Sequence, residues 1–145
     1  MEELLRVIYN HWTSDDLAEV RALATGGLWA NKAPQGLIDA GKETYGVYRP
    51  LPGTVRDSTT SKIEVAPISF TFYSVDADDT DAAMIAVRCR DWFVRGYDNV
   101  RLAMEDDPNG NARRMIEAKR LFTGQLLEDP DKGYNITIDY EFMYG

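Results

Sequence analysis

The sequence predicts an α+β protein, a mostly antiparallel sheet with its helices packed on one face, formed by residues 1–145 as a single domain. Three observations carry this. From residue 133 onward, Tyr134, Ile136, Ile138, Tyr140, Phe142 and Tyr144 alternate without a break against Asn135, Thr137, Asp139, Glu141 and Met143, the pattern of a strand with one buried face. Its mostly polar second face means that the sheet receiving it is covered on one side only. Within residues 81–95, Ala82, Ile85, Ala86, Cys89, Trp92 and Phe93 recur at steps of three and four, one apolar face of a helix. Short turns, Asp106-Asp107-Pro108-Asn109-Gly110 and Asp129-Pro130-Asp131-Lys132-Gly133, then join the strands that follow it.

In chain order, residues 2–12 place Leu4, Leu5, Ile8 and Trp12 at helical spacing, with Glu2 and Glu3 in the first turn, where the helix dipole favours acids. Ser14 is the N-cap candidate for a second helix over 15–24, which the Gly26-Gly27 pair stops. Residues 26–41 read as a loop whose Leu28, Trp29, Pro34, Leu37 and Ile38 pack over an edge of the core. A strand over 44–49 turns Tyr45 and Val47 to one side and Tyr48 to the other, and Pro50 and Pro52 end it because proline gives no ladder donor. The next strand carries a conflict: Ile63 and Val65 are apolar at odd positions, whereas Ile68, Phe70 and Phe72 are apolar at even ones. A one-residue bulge or bend at Ala66-Pro67 reconciles the two phases, giving one long, kinked strand. Its polar approach, 52–61, is an exposed arm or hairpin. In the main helix, Asp76, Asp78, Asp79 and Asp81 precede and open it, and Arg88, Arg90 and Arg95 close it. Gly96 stands where a left-handed C-terminal residue is needed. Val100, Leu102 and Met104 mark a short strand, and 113–127 a longer one with Ile116, Ala118 and Phe122 on one face.

A chain of 145 residues can bury a core without staples, and 44% hydrophobic with 28% charged residues is a globular composition. One cysteine excludes an internal disulfide, and the opening Met-Glu-Glu-Leu-Leu-Arg has neither the basic region nor the apolar run of a signal peptide. No stretch approaches the roughly 20 apolar residues that span a bilayer, so a reducing, intracellular compartment is expected and no membrane partner. The net charge of −8 argues against a surface that grips duplex DNA. That acidity either keeps the chain soluble or forms a wall past which DNA slides.

No catalytic, cofactor or metal residue is expected. His11, the lone histidine, has no acid or thiolate at ligand spacing on its helix, and Cys89 falls on an apolar face as a small hydrophobe. The aspartates at 76–81 lack the glycine and terminal glutamate of a calcium loop and are read as dipole complements. Gly26-Gly27, Gly53 and Gly110 make no phosphate cradle. Tyr48 and Tyr73 point to the opposite face from their apolar neighbours; such tyrosines are either ordinary surface residues or part of a protein interface.

The helix over 2–12, the strand Tyr45-Gly46-Val47-Tyr48, and the Thr59-Thr60-Ser61 arm leading into Ile68-Ser69-Phe70-Thr71-Phe72-Tyr73-Ser74 follow one another in a telling order. With the helix ending Asp91-Trp92-Phe93 and the closing Tyr140-Glu141-Phe142-Met143-Tyr144, this layout resembles the tail terminator, or tail-completion, proteins of long-tailed bacteriophages and prophages. The resemblance implies a structural protein without enzymatic activity or cofactor. It would form a homo-oligomeric ring, commonly a hexamer, that caps the tail tube and offers its other face to the head-side connector protein. It would reside in the virion, and in the host cytoplasm during assembly, with DNA passing through the ring and no specific nucleic-acid binding. A ring closes through a heterologous interface, one patch fitting a different patch on the next subunit. The contacts are expected on the arm 53–62 and the turn 106–113, where Arg56, Lys62, Arg113 and Arg114 can meet an acidic neighbour, joined by Tyr48 and Tyr73. Other readings are a different head-tail joining or neck protein, a tail-tube subunit, or a small α+β enzyme or ligand-binding domain. In that last case the concave sheet face, with tyrosines and Asp139 or Glu141, would receive a substrate.

Overall fold

The alternating segment near the C-terminal end forms a strand over Gly133–Tyr144, and it lies in the middle of the sheet, not at its edge. The computed structural model describes residues 2–51, 56–57, 64–75, 80–103, 115–129 and 133–144. In chain order these form α1 (Glu2–Trp12), a 3-10 turn (Asp15–Leu17), α2 (Ala18–Leu23), β1 (Leu28–Ala30), α3 (Gln35–Ala40), β2 (Tyr45–Pro50) and β3 (Arg56–Asp57). There follow β4 (Glu64–Ser74), α4 (Thr80–Tyr97), β5 (Arg101–Ala103), β6 (Met115–Thr123), β7 (Leu127–Asp129) and β8 (Gly133–Tyr144). The strands make one sheet in the order β1-β2-β4-β8-β6-β5, with β3 attached to β4 and β7 to β8. Only β1 and β2 run parallel among the described strands; the fold is α+β with a mostly antiparallel sheet.

The core lies between one sheet face and the layer of α1, α2 and α4. Ile136, Ile138, Tyr140 and Phe142 of β8 are fully buried beside Ile68, Phe70 and Phe72 of β4. Ala86, Cys89, Phe93 and Tyr97 of α4 cover them, flanked by Leu4, Ile8 and Trp12 of α1. The aromatic rings pack at centroid distances such as 4.7 Å for Phe70–Phe93 and 4.3 Å for Phe93–Tyr97, within the range that adds to area burial. Polar ties fix the helices to one another: His11 Nε2 lies 2.7 Å from the Gly96 carbonyl, and Tyr97 Oη donates to the Ile8 carbonyl at 2.7 Å. Arg21 donates to the carbonyls of Trp12 and Ser14, closing the link between α1 and α2.

Several expectations are corrected. Ser14 has the extended backbone of an N-cap but makes no capping bond; its hydroxyl donates back to the His11 carbonyl at 2.6 Å, and the helix starts with a 3-10 turn instead. The 26–41 stretch is not one loop, since it supplies β1 and α3. β4 carries no bulge at Ala66-Pro67: it pairs with β8 in unbroken register from Glu64–Tyr144 to Ser74–Tyr134. Ala66 is itself buried on the core face and Val65 belongs to the second face, so there is no change of phase to reconcile. Pro67 sits within the strand because its backbone faces away from β8. Its carbonyl accepts from Leu51 N at 3.0 Å, so its missing N–H points the same way, and the regular β2 ladder stops one pair short, at Pro50–Ile68. Gly96 lies inside α4, and the left-handed position falls to Asn99 at φ 56°. Phe122 leaves the core face because the register shifts between Arg120 and Phe122, a bulge that leaves both Leu121 and Phe122 exposed. Trp92 is also exposed, not part of the buried helix face.

Candidate functional site

The second sheet face can be assembled from register alone. Across it, Arg49 of β2 stands beside Ser69 of β4, then Asp139 of β8 and Phe122 of β6. One row along, Val47 neighbours Thr71 and Thr137, whose hydroxyls are 3.0 Å apart. A further row runs Tyr45, Tyr73, Asn135 and Leu127. At the other end, Glu141 faces Lys119 and Met143 faces Glu117. No helix packs over the β8 part of this face among the described residues, whereas α3 and the residues before it stand over the β2 end. There they enclose a groove of about 410 Å³, lined by Lys32, Ala33, Leu37, Ile38, Tyr45, Val47, Arg49 and Tyr73, among others.

In that groove the Tyr45 and Tyr73 rings stack at 5.2 Å with 21° between their planes. Burial, and secondarily Tyr73, raises the Tyr45 phenol above its ordinary value, so it stays protonated and is no nucleophile at neutral pH. Asp39 accepts from Gln35 Nε2 at 2.8 Å, and among the described residues no hydrogen bond joins a groove carboxylate to a tyrosine or lysine there. Asp139 and Glu141 do not line the groove. Asp139 pairs with Ser69, four residues from Tyr73, which is about 13 Å along a strand. The tyrosines and the carboxylate of the substrate-site reading are therefore not brought together. Asp139 is notable for another reason: its Oδ1 is buried and has no hydrogen-bond partner.

His11 is buried, edge-on to Tyr97 at 4.8 Å, with Nε2 on the Gly96 carbonyl, which is a structural arrangement. Burial pushes the Cys89 thiol up to about 12, so it remains neutral. No group of three or more His, Cys, Asp or Glu that could hold a metal is found among the described residues. Likewise no described helix is long and apolar enough to cross a membrane.

Of the residues expected at an interface, Tyr73 lies on the second face, in the groove. Tyr48 is corrected: it is 4% exposed, stacks on Phe70 at 5.8 Å and donates to the Leu5 carbonyl at 3.2 Å, so it is a core residue with no surface for a partner. Arg56 belongs to β3, the backbone of which pairs antiparallel with β4, Arg56 opposite Val65. Lys62, Arg113 and Arg114 lie outside the described residues, as do most of the arm 53–62 and the whole turn 106–113.

Sequence reasoning missed two exposed features. Phe122 and Leu127 are 55% and 59% exposed at the β6–β7 end of the second face. On the opposite side of the molecule, the solvent face of α4 carries Met84 and Trp92, 52% and 36% exposed, with the Arg95 guanidinium 4.6 Å from the centre of the Trp92 ring. The steps Met84, Arg88, Arg95 at four and seven residues carry that signal in the sequence, as one outer stripe. No protein-family model matches the chain, and no curated protein matches it in sequence.

Proposed function

We propose that this protein is a structural virion assembly component that closes the end of a phage tail tube as a ring and joins it to the head-side connector. The observation that supports the reading is the sheet's second face: at its β6–β8 end no described helix covers it, yet it presents Phe122 and Leu127 to solvent. Sheets are buried where they carry large apolar groups, so a face of this kind suits a protein that acts by fitting against others. The layout resemblance supplies the particular neighbours. The test is the mass of the purified protein in solution, with electron microscopy of the protein alone and mixed with tail tubes purified from the phage or prophage that encodes it. Ring-shaped particles, or density added at tube ends, are expected. A monomer at every concentration that leaves tube ends bare overturns the reading.

A ligand-binding role draws on one specific observation, the tyrosine-floored groove, whose volume falls within the ~300–1,000 Å³ of small-molecule sites. Ligand-induced chemical-shift changes confined to groove residues would favour it.

A further inference from the structure

We propose that copies of this chain associate head to tail, the outer face of α4 on one copy seating on the open β6–β8 face of the next; this rests on the ring-forming reading and names its interface.

Three observations converge. The first is position. α4 lies on one side of the sheet and the open face is the other side, so the two patches sit on opposite surfaces of a two-layer molecule. Patches so placed make a heterologous contact, which closes into a ring or runs on as a filament, and cannot make a two-fold pair.

The second is charge. The α4 stripe presents Arg88 and Arg95, neither with an ion-pair partner among the described residues, while Asp91 is matched by Arg90 at 3.0 Å. The open face presents Glu117, Asp139 and Glu141; Arg101 stands opposite Glu117 and Lys119 opposite Glu141, whereas Asp139 lies between Ser69 and Phe122 with no cation paired to it in register. In a chain of net charge −8, that helix stripe is the basic surface an acidic copy would approach. Asp139 adds a need as well as a sign. With Oδ1 buried and without a hydrogen-bond partner, its carboxylate is under-compensated in the single chain, and a cation brought near the partly exposed residue would ease that charge without touching Oδ1.

The third is chemistry of contact. Met84 and Trp92 on the helix, the latter held by Arg95, and Phe122 on the sheet are large exposed side chains of the kinds that anchor interfaces. Seating the helix layer of one copy on this face of the next gives the sheet a second cover that no described helix supplies at its β6–β8 end.

The experiment uses the full chain and two charge-reversed variants, Arg88→Glu with Arg95→Glu, and Glu117→Arg with Glu141→Arg, each checked for native near-ultraviolet circular dichroism. Masses are read by native mass spectrometry and light scattering. The wild type is expected to form a multi-subunit species and each variant alone to remain a monomer. An equimolar mixture of the two variants should restore a multi-subunit species holding both in equal number, since the reversed helix face of one fits the reversed sheet face of the other and their two unaltered faces still fit as well. Asp139→Asn should weaken association while leaving the monomer as stable as before or more so. Variants that keep the wild-type mass overturn this interface and leave the ring reading standing. Folded variants that stay monomeric when mixed overturn the head-to-tail pairing. A wild type that is monomeric in solution but binds purified tail tubes, with binding lost on reversing Arg88 and Arg95, assigns the α4 face to another virion protein and overturns self-association.

Discussion

Gly46 shows how tightly single positions are set. A Cβ built there would come within 2.8 Å of Leu28 Cδ1 and 2.9 Å of Phe72 Cε1, both side chains of the buried cluster. Gly46→Ala should therefore cost about 1–3 kcal/mol through overpacking, read as a lower denaturant midpoint with an unchanged slope. The buried thiol and phenol set the alkaline limit. Burial raises Cys89 from 9.0 to about 12, and burial followed by Tyr9 raises Tyr48 from 10.0 to about 12. In both cases the folded chain favours the neutral form, so this stability is fully present below about pH 9 and is lost as pH climbs from there toward 12. Urea midpoints measured upward from neutral pH should fall over that window, and Cys89→Ala should flatten the early part of the fall. At this scale the sequence was a good guide to pairing and a poor one to depth. The split of Tyr45 and Val47 from Tyr48 was legible in the alternation of β2, but both sides of that strand carry apolar residues, so the pattern could not say which side faced the core. Tyr48 took the core and Tyr45 the groove.

The elements differ in how much a local pattern could reveal. β8 was readable because its eleven successive pairs with β4 hold one register, and a period of two then maps directly onto two faces; β4 was misread as kinked because its apolar Val65 lies on the second face. β6 was not readable, since the irregularity at Leu121 sends Phe122 to the opposite face and nothing in Lys119-Arg120-Leu121-Phe122 announces it. β1 and α3 are only three and six residues long, too short for either period to repeat, and the groove they help to form draws on segments from Asn31 to Val75. α4 carries a sharper prediction. Alanine in place of Gly96 would gain about 1 kcal/mol of helix propensity. Its Cβ, however, would lie 2.8 Å from both Leu17 methyl carbons, and Leu17 is fully buried. Overpacking of about 1–3 kcal/mol outweighs the propensity, so Gly96→Ala should lower the melting temperature. The opposite behaviour is expected of Phe122→Ser with Leu127→Ser. These side chains are more than half exposed, so folding stability should stay within about 0.5 kcal/mol per site, while oligomer mass should drop.

For the molecule as a whole, an interface built on Arg88 and Arg95 against Glu117, Asp139 and Glu141 is sensitive to screening. Raising salt toward 1 M, where the Debye length is about 3 Å, should shift the mass distribution toward monomer, and sedimentation at several salt concentrations measures it. An assembly held by apolar contact alone would strengthen under the same change. The place of β8 has a further consequence. It is made after every other described element, yet it forms the seam between β4 and β6, which share no ladder without it. During translation the growing polypeptide therefore has two half-sheets and no bridge between them. The apolar surface of each half stays open to chaperones until residues 133–144 have cleared the exit tunnel and zip both halves at once.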